Sequence, residues 1–179
     1  MRTRLFGISL VLLAGVTLQP SLARGSGDHG HRRDRTFSTA LVSFNEVPAV
    51  SSGAAKGFFV ARLNRAGDAL RYTLRYTGLS APVTQSHIHL GQRHTNGAIM
   101  VWLCQSATNA DPTTLAPLCP TTEGTVEGTI TAANIVTAGT QGVAAGEFDE
   151  FLLALRKDAG YVNVHTTGFP GGEIRGQVK

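Results

Sequence analysis

Ala55-Lys56-Gly57-Phe58-Phe59-Val60-Ala61-Arg62-Leu63, then Asn64-Arg65-Ala66-Gly67-Asp68, then Ala69-Leu70-Arg71-Tyr72-Thr73-Leu74-Arg75-Tyr76: this stretch decides the fold class. In its second half Leu70, Tyr72, Leu74 and Tyr76 alternate with Arg71, Thr73 and Arg75. A period of two places one set on a buried face and the other in solvent, which is a strand and not a helix. The first half alternates as well and is rich in β-branched and aromatic residues. A short link containing Gly67 joins the two, so residues 55–76 read as a β-hairpin.

Working outward, the same signals recur. Residues 36–42 are rich in β-formers and stop at Asn45-Glu46-Val47-Pro48. Residues 85–90, 98–103, 124–130, 161–165 and 173–178 read as further strands. Thr131 reads as the cap of a single helical turn, with Asn134 three residues on. Residues 147–157 differ: Phe148, Phe151, Leu152 and Leu155 fall at i, i+3, i+4 and i+7, one helical stripe, and Gly160 follows to stop it. Many short strands and one short helix predict an all-β, Greek-key β-sandwich of about eight strands. No internal repeat argues for a propeller or solenoid.

The chain begins as a secretory signal does. Arg2 and Arg4 give a positive start, residues 5–18 are apolar, and Ser21-Leu22-Ala23 supplies small residues before a cut after Ala23. The apolar run is shorter than the roughly 20 residues of a spanning helix. The expected organisation is a signal peptide over residues 1–23, a basic, His-containing linker over 24–35 and one domain over 36–179. The linker has no apolar residue to bury, so it is expected to be disordered. His29 and His31 lie in it. Arg2 and Arg4 leave with the signal, so the whole-chain excess of 16 basic over 12 acidic residues shrinks. No basic stripe with interleaved aromatics remains, which argues against a nucleic-acid partner. No second stretch is long and apolar enough to span a membrane after cleavage. Secreted or periplasmic placement follows from the signal.

Cys104 and Cys119 are the only two cysteines. In an oxidising compartment a pair reads as a disulfide, here closing a loop with Asp111-Pro112 and Pro117 and no periodicity. Two buried free thiols are the alternative. Two cysteines alone make a poor zinc site, which wants four ligands.

Ser86-His87-Ile88-His89-Leu90 places His87 and His89 on one face of a strand and Ile88 on the other. In Tyr161-Val162-Asn163-Val164-His165, Tyr161, Asn163 and His165 share a face opposite Val162 and Val164. If the two strands are neighbours, three imidazoles converge. Three nitrogens with an open fourth position suit copper or zinc. The competing reading has the same histidines bonded to loop backbone or to one another. Ligand histidines pass their second N–H to a carboxylate or carbonyl, for which Glu46, Asn163 and Glu173 are the candidates. Glu173 and Arg175 are read either as a polar site beside the histidines or as a cross-strand ion pair, with Glu46 another partner.

Asn45-Glu46-Val47-Pro48, Ser86-His87-Ile88-His89-Leu90-Gly91, Asn96-Gly97, Tyr161-Val162-Asn163-Val164-His165-Thr166 and Gly171-Gly172-Glu173-Ile174-Arg175-Gly176-Gln177 occur in that order. In this the chain resembles the CHRD domain family, first named in chordin, over roughly residues 36–178. Ala49 stands where the family often has a second proline. The Cys104–Cys119 insertion looks peculiar to a subset. The resemblance implies an exported domain and leaves its biochemical role open. The chordin modules assigned to growth-factor binding are absent here. In outline the chain is also distantly similar to Cu/Zn superoxide dismutase, another Greek-key sandwich with a His-x-His strand and an intrachain disulfide.

Two functions from different classes follow. One is a non-catalytic binding or structural module of the envelope or extracellular space, whose partner is an extracellular protein or polysaccharide. The other is a copper- or zinc-binding protein with superoxide dismutase-like redox activity. No nucleophile setting accompanies the Ser and Thr residues, so hydrolysis ranks last.

Overall fold

The computed structural model describes residues 35–179. The signal-peptide, cleavage-site and linker readings, and His29 and His31 with them, lie outside these residues except for Arg35.

Eight strands form: β1 (Thr36–Val42), β2 (Lys56–Leu63), β3 (Leu70–Thr77), β4 (Val83–Leu90), β5 (Ile99–Cys104), β6 (Gly124–Ile130), β7 (Gly160–Thr166) and β8 (Ile174–Gln177). One α-helix, α1 (Phe148–Arg156), precedes β7. All pairings are antiparallel, in the order β5-β4-β7-β8-β1-β2-β3-β6. The chain is therefore all-β, a nearly closed sandwich with one short helix, as the alternation predicts.

The hairpin at residues 55–76 forms as read. Leu63 pairs with Leu70 and Lys56 with Thr77. Asn64 Oδ1 accepts the Gly67 N–H at 2.8 Å and the Asp68 N–H at 3.2 Å, while Gly67 takes φ +87°. A residue with a Cβ is strained at that angle. On β3 Leu70, Tyr72, Leu74 and Tyr76 are buried and Arg71 and Arg75 are exposed, so the period-two pattern is the burial pattern.

The ladder between β8 and β1 has a single register pair, Val42 with Arg175. It is the corner where β5-β4-β7-β8 turns onto β1-β2-β3-β6. Gly176 sits there because an added Cβ would strike the Ala40 carbonyl. Across the sandwich, Tyr72 on β3 donates its hydroxyl to the Leu103 carbonyl of β5 at 2.6 Å. Phe59, Leu74, Ile88, Leu103, Val162 and Ile174 fill the space between the two halves, all at 0% exposure. The helical stripe packs into the same core: Phe148, Phe151, Leu152 and Leu155 are buried. The turn after β6 closes as read, with Asn134 Oδ1 accepting from the Thr131 N–H at 2.9 Å and hydroxyl at 3.1 Å.

Cys104 and Cys119 are joined, with Cα atoms 5.0 Å apart. The free-thiol alternative is thereby removed. The bridge ties the end of β5 to the long loop leading to β6.

The face of β4 and β7 that carries the histidines is not an open surface. Every residue of β7 and β8 is buried. Three loops fold over this face: residues 43–55, 91–98 and 167–173. Asn96 of the second holds the first by donating to the Val47 carbonyl at 3.0 Å. Alternation along a strand reports which residues share a face; it does not report what covers that face.

Candidate metal centre

β4 and β7 are direct neighbours, with His87 opposite Asn163, His89 opposite Tyr161 and Gln85 opposite His165. The period of two on each strand therefore brings the three imidazoles together. One nitrogen from each ring lies within 4.8 Å of the others. Exposure is 1% for His87, 8% for His89 and 7% for His165.

Two of the rings are oriented by backbone. His89 Nδ1 lies 2.9 Å from the Gly97 carbonyl, and His165 Nδ1 lies 2.8 Å from the Pro170 carbonyl. A carbonyl only accepts, so each Nδ1 carries the proton and each Nε2 is left as a lone pair. His165 Nε2 in turn lies 3.2 Å from His87 Nδ1, which must donate to it. His87 Nε2 and His89 Nε2 are then buried acceptors with no hydrogen-bond partner. Burial lowers all three pKa values. His87 falls to about 2, chiefly by desolvation and secondarily by its two neighbours, and His89 to about 4, again chiefly by desolvation. His165 is lowered by the same cause. The cluster is a set of neutral imidazoles, the form that binds a metal.

The ring N–H groups go to Gly97 and Pro170, not to Glu46, Asn163 or Glu173. Spacing along a strand gives no signal for a carbonyl supplied by a loop. Glu173 instead clasps the loops: its carboxylate accepts from the Ser52 hydroxyl at 2.7 Å, the Ser80 N–H at 2.8 Å and the Thr166 hydroxyl at 2.7 Å. Arg175 is not paired with Glu173. Its guanidinium lies 3.4 Å from the centroid of the Tyr161 ring and donates to Thr95 O at 2.6 Å, and to Gln92 O and Asn96 Oδ1 at 3.2 Å. Tyr161 is stacked on its other side by His89, centroids 4.7 Å apart and planes at 3°. The order His89–Tyr161–Arg175 thus links the cluster to the 91–98 loop. Glu46 is 6% exposed and packs against Gly172, where φ is +123° and a Cβ would collide with the carboxyl. Desolvation lifts Glu46 to about 7, and Arg175 offsets part of that rise. His94 sits in the covering loop with φ +67° and does not join the cluster.

Sequence reading puts Trp102 on the apolar strand of residues 98–103 but not beside the histidines. It lies opposite His87 on β5, ring centroids 4.3 Å apart and edge-on. The residue is the single tryptophan of the chain and is half-buried. An apolar strand segment explains a tryptophan without help from the histidines, so the sequence carries no separate signal for it.

Compared with known proteins, residues 37–178 match the family model described as the CHRD domain. No curated protein and no solved structure matches the chain.

Proposed function

The chain belongs to the CHRD domain family, and from that premise we propose that it is an exported, non-catalytic metal-binding module, with His87, His89 and His165 holding copper or zinc. CHRD domains are of extracellular type, and the Cys104–Cys119 disulfide fits an oxidising compartment. Among the described residues no helix is long and apolar enough to cross a membrane. Export itself rests on the reading of residues 1–23.

One observation carries the metal assignment. Three buried, neutral imidazoles converge, two of them oriented by backbone carbonyls, and the Nε2 atoms of His87 and His89 are acceptors without a partner. A buried polar atom without a partner costs about 1–3 kcal/mol. A cation among the nitrogens removes that cost. Nitrogens bonded at about 2.1 Å lie at most about 4.2 Å apart, so binding draws the rings slightly inward. Copper and zinc are the metals that an all-imidazole set suits.

The test is titration of the purified protein with Cu²⁺ and Zn²⁺ beside the His87→Ala/His89→Ala/His165→Ala variant. A His29→Ala/His31→Ala variant controls for the amino-terminal segment. Trp102 gives an internal signal, since a paramagnetic ion held beside His87 quenches its fluorescence. Stoichiometric binding with quenching, lost only in the triple variant, supports the assignment. Binding that disappears with His29 and His31 overturns it.

A further inference from the structure

Resting on the metal-site reading, we propose that the Asn163 side-chain carbonyl is the fourth ligand, so that the site is a closed set of three nitrogens and one oxygen without exchangeable water. Asn163 shares a face of β7 with His165 and pairs in register with His87. It is 3% exposed, and its Oδ1 is buried with no hydrogen-bond partner. His89 Nδ1 donates to the Gly97 carbonyl, so its Nε2 is a lone pair, and that atom is also buried without a partner.

Asn163 Oδ1, His87 Nε2 and His89 Nε2 are thus buried acceptors carried by the neighbouring strands β4 and β7, none with a partner. His89 Nε2 is a lone pair and a carboxamide oxygen has only lone pairs to offer. None of these lone pairs meets a donor in the protein, and one cation among them would satisfy them together. Among the described residues, five buried side-chain atoms are without a partner, and three of them belong to His87, His89 and Asn163. The remaining member of the set, His165 Nε2, is engaged by the His87 Nδ1–H, a hydrogen bond that binding of a cation by all three imidazoles would replace. The consequence is functional. A site with an open position binds small molecules and can catalyse, whereas a site closed by protein ligands holds its metal for structure or storage.

The experiment uses the Cu²⁺-loaded protein, electron paramagnetic resonance in ¹⁷O-enriched water, and azide as an external ligand. Wild type is expected to show no ¹⁷O broadening and no azide charge-transfer band. Asn163→Ala is expected to show both, with copper affinity reduced roughly 10-fold or more. Asn163→Asp keeps the oxygen and restores the closed spectrum, which separates coordination from folding. Azide binding by wild type overturns the proposal, as does an Asn163→Ala spectrum identical to wild type. The latter result with copper still bound removes only the fourth ligand, whereas a wild type that binds no copper removes the metal site as well.

Discussion

The four titrating groups around the centre set an acid response of defined sign. His87, His89 and His165 fold with pKa values below the ordinary 6.5, mainly because burial disfavours the charged ring. Below pH about 6.5 the unfolded chain takes protons that the folded chain refuses, so stability falls with pH by about 1.4 kcal/mol per unit for each ring that stays neutral. The window runs down to about 4 for His89 and about 2 for His87. Glu46 acts in the opposite sense. Its folded pKa is raised from 4.5 to about 7, so its contribution is complete below 4.5 and lost as pH rises toward 7. Between 4.5 and 6.5 it offsets one histidine. Urea unfolding from pH 7 to pH 5 is expected to show a net loss of stability. Glu46→Gln should steepen that loss by about 1.4 kcal/mol per unit. An unchanged slope in that variant would show that Glu46 ionises normally. Glu46 and the histidines are all visible as candidates in the sequence. Their environment is not, because it depends on loops far away in the chain.

At the scale of elements, two devices hold the site. Tyr72 on β3 reaches across the sandwich to Leu103, one residue beyond Trp102 on β5. Tyr72→Phe should lower unfolding stability by about 1 kcal/mol, read by chemical denaturation, with the fold retained. Glu173 joins the 43–55 loop through Ser52, the β3–β4 link through Ser80, and the end of β7 through Thr166. Glu173→Ala should cost about 3 kcal/mol and increase amide exchange in those three segments together. Exchange rising in one segment alone would mean that the loops are held separately. The hairpin and the helix were legible because each has one apolar face and a local period. The role of Glu173 was not: its three partners lie 121, 93 and 7 residues away, and no local pattern encodes them.

For the whole molecule, the disulfide and the sheet corner decide how firmly the halves close. Cys104 and Cys119 are 15 residues apart, and closing a loop of that size stabilises by roughly 3 kcal/mol on chain-entropy grounds. Cys104→Ser/Cys119→Ser should therefore lower the thermal midpoint by several degrees while leaving the far-ultraviolet spectrum of a β protein. A variant that never acquires that spectrum would show the bridge to be needed for folding. The sequence by itself determined the strand and helix content, the Cys104–Cys119 pairing as the simplest use of two cysteines, and the shared face of His87 and His89. Each is a local matter, fixed by a period of two or 3.6 or by composition. Only the tertiary structure decided that β7 lies beside β4, so that His165 and Asn163 meet the pair. It also decided that loops roof this face, supplying the Gly97 and Pro170 carbonyls that fix two of the rings. Neighbouring strands and covering loops are chosen by how the whole core closes, a long-range balance of burial that no segment of the chain carries alone.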